Sequence, residues 1–121
     1  MATVKIPRDN FVEVVENNPI VFVDFWADWC VPCLRFGPVF EAASEQHTSI
    51  TFGKVDTEDQ PELAGGMEIQ AIPTLMAFRD GYLVYREAGA LSASQFTKLI
   101  DAVQNLDMEK LKTEAEARAE A

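Results

Sequence analysis

Ile20-Val21-Phe22-Val23-Asp24-Phe25-Trp26-Ala27-Asp28-Trp29-Cys30-Val31-Pro32-Cys33 is the stretch on which the fold turns. Its first seven residues are an apolar run broken by one acid, the pattern of a strand buried on both faces. Its last four hold both cysteines of the 121-residue chain. Beyond them Cys33, Phe36, Phe40 and Ala43 recur every three or four residues, which is the spacing of one helix face. A Cys-x-x-Cys pair where a strand hands over to a helix suits reversible dithiol–disulfide chemistry. At the helix N-terminus Cys30 would meet unpaired backbone N–H groups and the positive end of the helix dipole, which favour its nucleophilic thiolate. Cys33 falls one turn further in on the same side, within reach of a mixed disulfide formed on Cys30. Pro32 fits the first helical turn, where its missing N–H removes no bond.

Two other readings of the pair stand beside this one. A structural zinc site needs four ligands, and the chain offers Cys30, Cys33 and its single histidine, His47, so carboxylates or a second chain would have to complete it. Two buried, inert thiols are common in cores, although the aromatic, proline-containing setting argues against them. Asp24 is open in the same way. A carboxylate in an apolar strand is either an acid that finds a hydrogen-bond donor, or a desolvated acid with a raised pKa that exchanges a proton with a nearby thiol. Its position six residues before Cys30 favours the second.

Composition narrows the function classes. Twenty acidic residues against ten basic give a net charge of −10, so a nucleic-acid or anionic-membrane surface is not expected. No run approaches the roughly 20 apolar residues needed to span a bilayer. Met1 to Lys5 has no apolar segment behind it of the kind a signal peptide carries. A cytoplasmic protein is the expectation, and in a reducing compartment a lone Cys-x-x-Cys is catalytic more often than structural.

Taken in order, Thr3 to Ile6 predicts a short strand closed by Pro7. Asn10 and Glu13 have capping-box spacing ahead of a helix that Asn17-Asn18-Pro19 ends. A strand over Ile20 to Trp26 is followed by a long helix to about Gln46, with Pro38 expected to kink it and His47 at its frayed end. Ile50 to Val55 predicts the next strand, and Asp56 to Asp59 opens a short helical stretch running into Gly65-Gly66. Ile69 to Phe78 reads as a loop entering a strand, with Pro73 at its start. Asp80-Gly81 is a hairpin turn into Tyr82 to Arg86, which Gly89 breaks. Ser92 and Gln95 repeat the capping box before a helix with Phe96, Leu99, Ile100 and Val103 on one side. Residues 107–121 are a charged tail, helical or disordered, with Met108 and Leu111 its last large apolar residues. The order β α β α β α β β α calls for parallel pairing with right-handed crossovers plus one antiparallel hairpin, hence an α/β fold with a central mixed sheet of about five strands and helices on both faces. Active residues in such folds gather at the carboxyl ends of strands, where Cys30 would lie.

Over residues 3 to 106 the chain resembles a thioredoxin. The resemblance rests on Val23 to Cys30, Pro32-Cys33, Lys54-Val55-Asp56, Ile72-Pro73-Thr74, Asp80-Gly81 and Gly89-Ala90-Leu91-Ser92. It implies a thioredoxin domain over 1–106, with Cys30 the attacking thiolate and Cys33 the buried resolving thiol of one redox disulfide. Asp24 is then the buried acid assisting Cys33, with Lys54 near it. Pro73 becomes a cis proline against the disulfide, the Ile72 backbone pairs with an extended substrate, and Trp29 covers the site. Val31, Pro32 and Thr74 complete the substrate-binding set. No bound cofactor or metal is implied. Electrons come from NADPH through a flavin-dependent thioredoxin reductase, and the other partners of the monomer are disulfide-containing client proteins.

The expected function is therefore a protein-disulfide oxidoreductase acting as a general reductant, with a thioredoxin-fold binding module or holdase as the alternative. The sequence departs from the family's usual pattern in three places. Val31-Pro32 stands where Gly-Pro is usual, Leu34 stands where many members carry Lys or Arg, and the tail beyond Leu106 has no counterpart in a minimal thioredoxin. The first two bear on redox poise and reductase recognition. Leu34 either joins Trp29, Val31, Pro32 and Ile72 in an apolar patch around an exposed Cys30 sulfur, or faces inward against the sheet.

Overall fold

The computed structural model describes residues 2–120; Met1 and Ala121, the outer ends of the expected domain and tail, lie outside it. In chain order the elements are β1 (Val4–Lys5), a single 3-10 turn (Arg8–Asn10), α1 (Phe11–Asn17), β2 (Ile20–Trp26), α2 (Val31–Gln46), β3 (Thr51–Asp56), α3 (Pro61–Gly66), β4 (Thr74–Arg79), β5 (Tyr82–Ala88), α4 (Ala93–Gln104) and α5 (Met108–Glu120). One five-stranded sheet has the order β1-β3-β2-β4-β5. β3 runs parallel to both β1 and β2, whereas β4 is antiparallel to β2 and to β5. The fold is the mixed α/β sheet expected from the element order.

β2 is the central strand, and its alternation sorts the core into two layers. Val21, Val23 and Phe25 pack with Phe11 and Val15 of α1 and Leu63 of α3. Phe22 points the other way, into a cluster with Phe36 and Phe40 of α2 and Phe96, Ile100 and Val103 of α4. Aromatic rings dominate that second layer. Phe22 stacks on Phe52 at 5.7 Å, and Phe96 meets Phe22 edge-on at 5.5 Å. Such pairs add about 0.5–1.5 kcal/mol each beyond the area they bury. The layer clamps α2, and with it the cysteines, onto the sheet.

Several local expectations hold for the physical reason given. Ser92 accepts the Gln95 N–H and Gln95 reaches back to the Ser92 N–H, a complete capping box for α4. Asp80 and Gly81 both have positive φ, 53° and 85°, as a tight hairpin turn with the strands' own twist requires. Asn18 ends α1, its amide donating to the Val14 carbonyl at 2.8 Å.

Others are corrected. β1 and β3 are shorter at their ends or shifted by a residue, Thr3 and Ile6 flanking β1 and Ile50 preceding β3. Asn10 makes no side-chain cap, because its N–H closes the 3-10 turn onto Pro7 at 3.0 Å and its own φ and ψ (−106°, −4°) are helical instead of extended. Asp56 to Asp59 is no helix. Asp56 finishes β3, and its Oδ1 accepts the Glu58 N–H at 2.9 Å in a local turn that competes with helix formation. α3 begins only at Pro61.

The tail is a helix of its own, not a continuation of α4. One guanidinium nitrogen of Arg79 binds the carbonyls of Val103, Gln104 and Leu106 at 2.8, 3.0 and 3.3 Å, which closes the C-terminal end of α4. The Asp107 carboxylate then accepts the Lys110 N–H at 3.1 Å, Met108 is buried, and Lys112 pairs with Asp80 at 3.2 Å.

β1 approaches β3 closely where Gly53 faces Ile6. A Cβ on Gly53 would fall inside van der Waals contact of Ile6 Cδ1 and Cγ1. Gly53→Ala should therefore destabilise the fold by about 1–3 kcal/mol, and adding Ile6→Val, which removes the Cδ1, should recover part of that loss. Denaturant melts of the single and double variants check this; a neutral Gly53→Ala would mean that Ile6 moves aside freely.

Candidate active site

β2 ends at Trp26, and the chain turns through Ala27, whose carbonyl accepts the Cys30 N–H at 3.2 Å. Cys30 keeps an extended conformation (φ −92°, ψ 109°) and is the N-cap of α2. Its Sγ accepts the Cys33 N–H at 3.3 Å, in the place where a Ser or Asp oxygen usually sits. Pro32 occupies the first turn without breaking a backbone bond. Cys30 and Cys33 are joined by a disulfide, their Cα atoms 5.2 Å apart. The backbone and the positive helix end thus bear on the Cys30 sulfur, and Cys33 is held one turn inside.

Opposite the pair lies the entry to β4. The Ile72–Pro73 peptide is cis, and the Ile72 carbonyl oxygen is 3.6 Å from Cys30 Sγ. Thr74 is buried, its hydroxyl donating to the Ala71 carbonyl, and the Pro73 carbonyl accepts the Gly89 N–H at 2.8 Å. The loop that presents Ile72 is therefore tied at both sides. Ala27, Trp26 and Ile72 pack around the disulfide, and this packing overturns one expectation: Cys30 is buried, almost as fully as Cys33. In the oxidised pair exposure does not separate the two sulfurs; their positions relative to the helix end do.

What is exposed is the rim. Trp29, Val31 and Leu34 are 65%, 63% and 54% exposed, and Pro32 and Ile72 are half-buried. Leu34 does not pack against the sheet, so the inward alternative for it falls. Trp29 is fixed by Glu58, whose Oε1 accepts the indole N–H at 2.6 Å. Sequence reasoning missed Glu58. No spacing marks it, since it arrives from the loop after β3, which is stitched to the end of β2 by the Thr57 N–H on the Trp26 carbonyl at 2.8 Å.

Asp24 sits in the middle of β2, opposite Lys54 on β3 and Leu75 on β4. It is fully buried, and neither carboxylate oxygen has a hydrogen-bond partner among the described residues. Desolvation pushes its pKa up to about 7, and the Lys54 ammonium pulls the other way without cancelling it. Lys54 itself rests 4.7 Å over the Trp26 ring. The satisfied-acid alternative for Asp24 thus finds no donor. His47 caps the far end of α2, so it cannot join the cysteines around a zinc ion.

The family profile for thioredoxin matches residues 2–102. The chain belongs to the thioredoxin family. It is 46% identical to "Putative thioredoxin 2" of Streptomyces coelicolor over 121 residues, which is 99% of this chain and 90% of that one. It is 41% identical over 99 residues to the "Bifunctional thioredoxin reductase/thioredoxin" of Mycobacterium leprae, covering 80% of this chain and 22% of that longer protein. Among solved structures, a point variant of thioredoxin from Halobacterium salinarum superposes with a TM-score of 0.77 at 31% identity, over 86% of this chain and 91% of the other. Family membership together with the disulfide-bonded Cys30–Cys33 pair makes this thioredoxin a protein-disulfide oxidoreductase.

The state of Asp24 has a consequence for stability. Its folded pKa, about 7, lies above the ordinary 3.8, so between those values the folded chain keeps a proton that the unfolded chain has lost. Stability therefore falls as pH rises across that window, by on the order of 4 kcal/mol once the carboxylate is ionised in both states. Asp24→Asn removes the penalty. The variant should be more stable than the parent by a few kcal/mol at pH 8.5, with the gap closing toward pH 4.5, in denaturant melts of the oxidised protein. A gap independent of pH would mean that a donor satisfies the acid.

Proposed function

We propose that this thioredoxin works as a general reductant of protein disulfides, with Cys30 attacking, Cys33 resolving and Asp24 moving the proton. The observation that carries this reading is Cys30 Sγ as the cap of α2, holding the Cys33 N–H at 3.3 Å beside the Ile72 carbonyl. In the reduced state that N–H stabilises the Cys30 thiolate. The thiolate attacks one sulfur of a client disulfide, a Cys30–client bond forms, and the other client sulfur leaves as a thiolate that takes a proton from water. The Cys33 thiol then gives its proton to the Asp24 carboxylate and attacks Cys30 Sγ. The second client sulfur departs as a thiolate that also takes a proton from water, and Cys30–Cys33 is the product disulfide. Two electrons have passed to the client, which ends as a dithiol.

An acid whose pKa lies near neutrality suits that transfer, because it can both accept and release the proton at working pH. Trp29, Val31, Pro32 and Leu34 form the client-facing surface, and the Ile72 backbone, positioned by Pro73 and the buried Thr74, pairs with an extended client segment. Re-reduction falls to a flavin-dependent thioredoxin reductase drawing on NADPH. Support comes from the Mycobacterium leprae relative, whose name joins a reductase and a thioredoxin in one chain. Residues 1–106 carry the chemistry as a cytoplasmic monomer with no bound cofactor, and residues 107–121 are an appended tail.

The test is dithiothreitol-driven insulin reduction combined with trapping. The parent should accelerate reduction, Cys30→Ser should not, and Cys33→Ser should accumulate mixed disulfides with client proteins. Mixed disulfides that collect on Cys30→Ser instead would reverse the two roles, and a parent that fails to accelerate reduction would leave only a binding module. A second expectation concerns Leu34. A lysine there would stand roughly 8 Å from the Cys30 sulfur, an attraction of about 0.5 kcal/mol in a watery dielectric. Leu34→Lys should roughly double the rate of alkylation of Cys30 by iodoacetamide at acidic pH. Turnover of apolar clients should drop, and stability should stay within about 0.5 kcal/mol, because the side chain is exposed. A marked loss of stability would mean that Leu34 packs in the core.

A further inference from the structure

Between β1 and α2, behind Trp26, lies a cleft of about 700 Å³ that the cysteines do not line, although it shares Lys54 and Trp26 with their surroundings. That volume is within the usual range for small-molecule sites. Ile6 and Trp26 give it an apolar wall, while three carboxylates, Glu41, Asp56 and Asp59, stand against two ammoniums, Lys5 and Lys54. The charged groups are not equally committed. Lys54 lies over the Trp26 ring, and Asp56 Oδ1 already accepts the Glu58 N–H. Glu41 differs. Thr3 donates to its Oε1, but its Oε2 is buried without a donor among the described residues. A buried carboxylate oxygen left this way is costly, and an N–H group entering the cleft would supply what is missing.

The excess of carboxylates, in a chain of net charge −10, selects a cation over an anion. Among the described residues no cluster of three or more His, Cys, Asp or Glu side chains could hold a metal ion, and the apolar wall asks for a carbon body. We propose that the cleft binds a small organic cation bearing an amidinium or guanidinium group, whose planar fork pairs with Glu41 while its carbon body lies along Ile6 and Trp26. The fork matches a carboxylate with two parallel N–H···O bonds, which a point-like ammonium cannot do.

Benzamidine is the probe, and benzamide, its neutral counterpart of the same shape, is the control. In an amide-resolved NMR titration of the full chain, benzamidine should bind saturably in the millimolar range. The shifted amides should centre on residues 3–7, 41, 54 and 59–60. Benzamide should bind at least about tenfold more weakly, the worth of a charge-assisted hydrogen bond, and Glu41→Gln should cost benzamidine a similar factor. Shifts centred instead on residues 29–34 and 72, equal binding of benzamide, or no saturation would overturn the proposal. The benzamide comparison uses the unaltered protein, so it decides even where Glu41→Gln folds poorly. Binding is read without any redox turnover, so the outcome is independent of the reductant reading.

Discussion

A strand buried on both faces has to find partners along both edges and above and below, and β2 imposes that demand on the rest of the molecule. β3 and β4 close its edges, α1 and α3 cover Val21, Val23 and Phe25, and α2 and α4 cover Phe22. The same burial strands Asp24 away from water and lifts its pKa. It also fixes where the strand can end, at Trp26, and so where α2 starts and which sulfur caps it. The disulfide lies just past the carboxyl end of this strand, where a desolvated acid and a helix N-terminus share one short stretch of chain.

The charges around that acid act in a graded way. Lys54 is in register with Asp24 but also rests on Trp26, so the ammonium serves a carboxylate and an aromatic face together. A closer Lys54–Asp24 pair would pull the acid further down toward the ordinary carboxylate range. Desolvation outweighs the ammonium, and the pKa stands at about 7. At the rim, Glu58 restrains Trp29 through a single bond and leaves most of the ring open to whatever docks.

Features carried by contiguous residues were legible in the sequence, and those made between distant loops were not. The bounds of β2 follow from its apolar run, and the Ser92/Gln95 box forms because Ser92 is extended. Asn10 and Glu13 have the same spacing and form no box, since the preceding Pro7 turn puts Asn10 in a helical conformation that the spacing cannot reveal. Asp56 to Asp59 looked like a helix start because acids favour that end, yet the Asp56 side chain satisfies its own turn first. The burial of Cys30 depends on Ile72, which reaches it from 42 residues away, and the bond from Trp29 to Glu58 spans 29. The tail shows the limit from the other side: its composition left helix or disorder open, and its docking needs Arg79 and Asp80 from the β4–β5 hairpin.

That strand order also bears on how the protein is made. β1, β2 and β3 are the first strands to leave the ribosome, and all of them lie on one side of the finished sheet's central pairing. Until β4 is synthesised, β2 has an open edge. Both cysteines precede Ile72, which is 42 residues beyond Cys30 in the chain and stands across from it in the fold. The strand that closes this edge of β2 thus comes late in the chain and runs antiparallel to it, and the loop leading into that strand supplies the residue that stands over Cys30.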